Sequence, residues 1–206
     1  EGVPVFARRL KAKAAPGKPD SANASEVMAA IEEAVGFARA GEASGVVTNP
    51  IHKATLYKGG FKFPGHTEYL ASLCGVAAPV MMIVIEGLRV VPVTVHLSLA
   101  KAIGTLSTGA IVGTAWTAHQ ALIRDFGITK PRLAVAALNP HAGEDGAMGH
   151  EEHAIIAPAV AELKAQGVNA VGPLPADTLF HAGARARYDA AICMYHDQAL
   201  IPLKTL

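Results

Sequence analysis

The sequence is short of several things, and each shortage narrows the reading. Only 5% of its 206 residues are aromatic, and Lys+Arg 18 against Asp+Glu 17 leaves a formal charge of +1. Few rings leave little for base-stacking platforms, and balanced charge gives no field to hold DNA or an anionic membrane. No nucleic-acid or membrane partner is therefore expected. The two cysteines, Cys74 and Cys193, form no CxxC pair. They offer neither a disulfide framework nor a thiolate metal site, and they suit a reducing, cytoplasmic setting. No GxGxxG and no GxxxxGK[ST] string occurs, so neither the dinucleotide fingerprint nor the P-loop is supported. The longest apolar stretch, Val76 to Leu97, is broken by Glu86 and Arg89 and holds Gly87 and two prolines. It reads as two short buried strands and not as a membrane span. No charged-then-apolar leader opens the chain, and Ile201 to Leu206 is an abrupt apolar end. The chain is expected to be a segment of a longer protein.

What is present is core-forming. Hydrophobic residues make up 51% and charged residues 17%, enough for one large domain or two small lobes. The first stretch, to about Asp20, is Pro/Lys-rich and reads as irregular. Val27, Ile31, Ala34, Val35 and Ala38 share a helical face, with Asn23 or Ser25 as N-cap candidates and Gly41 as the stop. Gly45 to Thr48 reads as a buried strand, and Thr67 to Cys74 as a short helix capped by Thr67. Val80 to Ile85 and Val90 to Val95 read as strands joined through Glu86-Gly87. Thr108 to Phe126 is the clearest helix, with Ile111, Val112, Ala115, His119, Leu122, Ile123 and Phe126 in one stripe. Leu133 to Leu138, Val168 to Val171 and Ala190 to Met194 read as strands. Glu151 to Gln166 is helical, with Pro158 forcing a kink or a later start. Apolar strands alternating with amphipathic helices predict an α/β fold, helices layered on a largely parallel sheet.

Three histidines share one context. His96, His141 and His196 each follow a predicted strand, and open α/β sheets bind ligands at the carboxyl ends of their strands. Three imidazoles meeting there can hold one divalent transition ion and leave a position open for substrate. Taken singly, each also reads as a satisfied loop or core histidine. Asp197, beside His196, is a fourth ligand, an orienter of the ring, or an Asx-turn acceptor. His119 reads as core, and His150, His153 and His181 as surface residues. Gly65-His66-Thr67 opens a helix whose free N–H groups favour an anion, with His52-Lys53 as a nearby cationic pair. The Gly/Pro/acid-rich loops Asn139 to Glu144 and Gly172 to Thr178 read as ordinary turns by composition, but both follow strands, which makes Glu144 and Asp177 candidates to face the same crevice.

Six strings occur together in order: Thr48-Asn49-Pro50-Ile51-His52-Lys53, Pro64-Gly65-His66-Thr67-Glu68, Thr94-Val95-His96-Leu97, Asn139-Pro140-His141-Ala142-Gly143-Glu144, GPLPADT from Gly172, and Tyr195-His196-Asp197-Gln198. In these the chain resembles the 4-hydroxythreonine-4-phosphate dehydrogenase family of pyridoxal phosphate biosynthesis, over nearly its whole length. The resemblance implies a two-lobed α/β architecture similar to isocitrate and isopropylmalate dehydrogenases, with the chain as a central catalytic segment. It implies NAD-dependent (or NADP-dependent) oxidation of a phosphorylated hydroxy-amino acid, followed by loss of CO₂. It implies a divalent metal (Zn, Mg or Co) on His96, His141 and His196, and substrate contacts from His66, Thr67 and Lys204. It also implies a cytoplasmic homodimer whose partner subunit contributes to the site. The candidates for the group that takes the hydroxyl proton are Lys204, Asp177 and Asp197. Further substrate and cofactor contacts are expected outside these 206 residues. A paralogue acting on a 4-phospho-threonate or 4-phospho-erythronate, a metal-dependent hydrolase, and a non-catalytic binding module are the competing readings.

Overall fold

The computed structural model describes residues 5–206, which form two compact units meeting in sequence at Pro79 and Val80. In the first unit an irregular segment leads to a 3-10 turn, Ser21–Asn23, capped by Asp20 accepting from the Ala22 amide at 2.9 Å. Helices α1 (Ala24–Arg39), α2 (Lys53–Lys58) and α3 (His66–Cys74) follow. Ile31 and Val35 of α1 pack with Leu56, Phe61 and Tyr69, because positions three to four apart share a helix face. Asn23 stands at the α1 cap position but does not cap. Its side-chain amide instead clasps the backbone of Ala12, accepting from its N–H at 2.8 Å and donating to its carbonyl at 3.0 Å.

Two expectations fail in this unit. Residues 45–48 are not a strand; Val47 is fully exposed. A strand needs a neighbour to take its backbone groups, and no strand is described in this unit. Thr67 does not cap α3: Gly65 holds the cap position, and Thr67 lies one residue inside the helix.

The second unit holds the sheet. Its elements are β1 (Ile83–Ile85), β2 (Leu88–Pro92), α4 (Leu99–Thr105), α5 (Thr108–Arg124), β3 (Arg132–Ala136), α6 (Ala157–Ala165), β4 (Asn169–Leu174), α7 (Ala182–Arg185), β5 (Ala190–Cys193) and α8 (His196–Thr205). The strand order is β1-β2-β5-β3-β4. Only the β1–β2 hairpin, turned at Gly87 with φ +72°, is antiparallel; β2–β5, β5–β3 and β3–β4 are parallel. Side chains alternate cleanly through the sheet. Leu133, Val135, Ala190 and Ile192 face α5 and α6, meeting Ile111, Ala115, Leu122, Ala159 and Leu163. Ala134, Ala136, Ala191 and Cys193 face the other way, meeting Leu179, Tyr188, Ala199 and Leu203. The second face is built largely from alanines, so α8 can lie close against the strands. The result is the α/β/α layering expected from the alternation of apolar strands and helices. Pro158 stands in the first turn of α6, where its missing N–H costs nothing, and a π-turn over Glu152–Ile156 precedes it. The helix therefore starts late, as one of the two sequence alternatives required.

Candidate functional site

The strand order decides where the histidines go. β2, β5 and β3 are adjacent and parallel, so their carboxyl ends lie along one edge of the sheet. His96 follows β2, His196 follows β5 and His141 follows β3. At roughly 4.8 Å per strand spacing, the outer two of these strands are separated by about 10 Å.

Hydrogen bonds lock the three ends together. The Thr94 hydroxyl donates to the Met194 carbonyl at 2.8 Å, tying the His96 loop to the His196 loop. Gln198 is buried and bridges the next pair: its carbonyl oxygen accepts from the Met194 amide and its NH₂ donates to the Ala137 carbonyl, both at 2.7 Å. A side chain from α8 thus fixes the gap between the ends of β5 and β3.

The rings of His96 and His196 lie 5.8 Å apart between centroids and line a pocket of about 180 Å³ with Thr94, Leu99, Tyr195 and Asp197. The Nδ1 of His196 is 2.7 Å from Asp197 Oδ1. This contact ties the imidazole to the carboxylate beside it. Asp197 thus stands directly against the His196 ring.

His141 does not line this pocket, and among the described residues no group of three or more His, Cys, Asp or Glu is arranged to hold a metal ion. The donor chemistry of the His96–His196 pair suits a divalent transition ion. The strand order, and not a formed cluster, brings His141 to the same edge.

The backbone is strained at this edge. Five non-glycine residues among those described have positive φ: His96, His141, Ala142, Glu144 and Asp145. With Gly143 at +80°, residues 141–145 make a left-handed turn, which costs an L-residue about 1–2 kcal/mol per position. Such conformations persist where surrounding contacts hold them, and they gather at functional sites. The holding group here is Glu152, only 2% exposed. One carboxylate oxygen accepts from the amides of Leu138 and Asn139 at 2.9 and 2.8 Å, and the other from the Asn139 side chain at 2.9 Å. Burial pulls the Glu152 carboxyl up, but these donors outweigh it and leave it below the ordinary carboxylate value. Sequence reading missed Glu152, Gln198 and Thr94.

The remaining candidates are spread out. Asp177 is exposed on the 3-10 turn Ala176–Thr178, which follows β4 and packs near the left-handed turn. Lys204 is exposed on the last turn of α8, about 12 Å along the helix from His196. His66 and Thr67 open α3 in the first unit, where His66 Nε2 is buried and unpartnered. Lys53 Nζ and Glu68 Oε2 stand 3.6 and 3.5 Å from where a Cβ on Gly65 would be. His66 also borders a pocket of about 400 Å³ lined by Arg8, Thr48 and Asn49. His119 is half-buried on α5, and burial lowers its pKa. His181 caps α7, accepting from the Ala184 amide.

Known proteins match this arrangement. The family model described as pyridoxal phosphate biosynthetic protein PdxA matches residues 2–206. A 4-hydroxythreonine-4-phosphate dehydrogenase of Bradyrhizobium diazoefficiens is 53% identical over all of this chain, which covers 61% of that protein. The crystal structure of the Klebsiella pneumoniae 4-hydroxythreonine-4-phosphate dehydrogenase superposes with a TM-score of 0.87 at 39% identity, covering 92% of this chain and 57% of that one. A terephthalate 1,2-cis-dihydrodiol dehydrogenase of Burkholderia xenovorans superposes at 0.75 with 31% identity, covering 93% of this chain and 60% of that one. The chain thus spans about three fifths of the proteins it matches.

Proposed function

We propose a function from one premise, that the chain belongs to the pyridoxal phosphate biosynthetic protein PdxA family. The complete protein is an NAD-dependent dehydrogenase that oxidises and decarboxylates 4-hydroxythreonine 4-phosphate, yielding 3-amino-2-oxopropyl phosphate. The observation that carries this reading is the descent of His96, His196 and His141 from three adjacent parallel strand ends. Those three side chains would hold one divalent ion. The bound groups supply Lewis-acid polarisation of the substrate hydroxyl and acceptance of the hydride.

The chain's own residues do the rest. Asp197 keeps the His196 ring in the tautomer that presents Nε2. Gln198 and Thr94 fix the spacing of the strand ends. His66 and Thr67, at the N-terminus of α3, hold the anionic end of the substrate with N–H groups and an unpartnered imidazole nitrogen. Lys204, in the second unit, offers a cation for an anionic group of the substrate. Of the three base candidates, Asp197 is engaged by His196, and Asp177 lies on the turn beside the His141 loop. Asp177 is therefore the group we assign to take the hydroxyl proton. A homodimer is part of the same reading.

The test is the full-length protein with and without His141→Ala. Purified enzyme reduces NAD in the presence of 4-hydroxythreonine 4-phosphate, and the variant loses both bound metal and turnover by a hundredfold or more. Near-normal metal content and turnover in the variant contradict the reading. The terephthalate dihydrodiol dehydrogenase match favours one alternative, a dehydrogenase of the same fold acting on another hydroxy compound such as a 4-phospho-threonate or 4-phospho-erythronate. A panel of these substrates against NAD reduction separates the two.

A further inference from the structure

The loop between β3 and α6 is closed at its neck by acids from its far end. Glu152 accepts from the Leu138 and Asn139 amides, and Glu151 accepts from the Asn139 side chain at 2.7 Å. Asn139 thus gives both its side-chain N–H bonds to carboxylates, since Glu152 takes the other at 2.9 Å. His141 stands two residues past this clamp, on the first residue of the left-handed turn. Within that turn, a Cβ on Gly143 would come within 2.7 Å of Glu152 Oε2. The carboxylate therefore meets the turn on two sides: it holds the strand end that enters it by hydrogen bonds, and it fills the space that a side chain at Gly143 would need.

A buried carboxylate is an expensive way to close a loop, because it must be fully paired to be tolerated at all. An apolar side chain would fill the same space but could not accept two successive backbone amides. Those amides lie between β3 and His141, so their direction sets the direction in which the histidine leaves the sheet.

We propose that Glu152 is the positioning residue for His141, holding the loop that carries it in the left-handed form at the carboxyl end of β3. This rests on the reading of His141 as a metal ligand. Groups that hydrogen-bond a ligand directly are worth about tenfold to a hundredfold in metal affinity, and Glu152 acts one step further out, through the loop backbone.

The experiment uses the full-length protein and Glu152→Gln, with His141→Ala as reference and zinc as the probe. Glutamine keeps the size and one acceptor oxygen, but its NH₂ faces the Asn139 NH₂, so the neck loses a bond. Zinc affinity, read by competition with a chromophoric chelator, falls at least tenfold. In the metal-free protein, amide hydrogen exchange accelerates over residues 137–148 and stays unchanged across α5 and α8. A general loss of stability would instead raise exchange everywhere and overturn the positioning role. Unchanged exchange at 137–148 also overturns it. If His141→Ala weakens zinc and Glu152→Gln does not, the positioning role fails while the metal reading stands. If His141→Ala leaves zinc affinity unchanged, the metal reading fails and takes the positioning role with it. Should Glu152→Gln fail to fold, Gly143→Ala reaches the same carboxylate from the other side. Zinc affinity weakened tenfold there supports the proposal, and wild-type affinity overturns it.

Discussion

Gln198 does the work that brings two loops to a fixed separation. It is buried, and each end of its amide has one partner: the Met194 N–H and the Ala137 carbonyl. Leucine at this position would fill the volume and leave both backbone groups without partners. Each unpaired buried group costs about 1–3 kcal/mol, so Gln198→Leu is expected to lower stability by about 2–6 kcal/mol in urea unfolding. A loss under about 0.5 kcal/mol would mean the bridge is dispensable. The same scale explains Cys193. It is fully buried, burial pushes its thiol far above the ordinary value, and it packs as a small apolar side chain of the second sheet face. It is not placed as a nucleophile.

At the scale of elements, the opposite edge of the sheet has its own clamp. Arg132, at the start of β3, donates from its amide and its guanidinium to Asp189, just before β5, with contacts of 2.7, 3.1 and 2.9 Å. These hydrogen bonds hold the Asp189 carboxyl below the ordinary range, against the opposing pull of burial. A carboxylate with a depressed folded value adds stability above its unfolded pKa, about 3.9, and loses it as pH falls through the folded value. Asp189→Asn is therefore expected to flatten the fall in urea midpoint as pH drops below about 4. Identical acid slopes for variant and wild type would contradict this. The elements were legible in proportion to the length of their pattern. α5 is read from a stripe that Ile111, Val112, Ala115 and Leu122 do bury, and β3 and β5 from unbroken apolar runs. α4 was not legible, because its seven residues bury only Ala102. Residues 45–48 carry a strand composition without a neighbour to pair with. The left-handed turn at 141–145 was hidden because four of its five residues are not glycine, and tertiary contacts, not propensity, hold it.

Across the whole chain, each unit carries part of the proposed chemistry. The second holds the histidine edge and its buried braces; the first holds the start of α3, with His66 and Thr67. Among the described residues no helix is long and apolar enough to cross a membrane. His96, His141 and His196 were readable as a set only because each follows a strand. What sequence could not supply was the order β2-β5-β3, which makes those strands neighbours, since strand order depends on non-local pairing. The residues that brace the edge were illegible for the same reason: Gln198 reaches across 61 residues to Ala137. The proposed function rests on one claim, that a single cation is shared by three imidazoles. The most direct measurement is anomalous diffraction from crystals of the full-length protein soaked with zinc and collected at its absorption edge. The account predicts one strong peak within about 2.0–2.1 Å of a ring nitrogen from each of His96, His141 and His196. A peak bound by other residues, or none at that sheet edge, would contradict it.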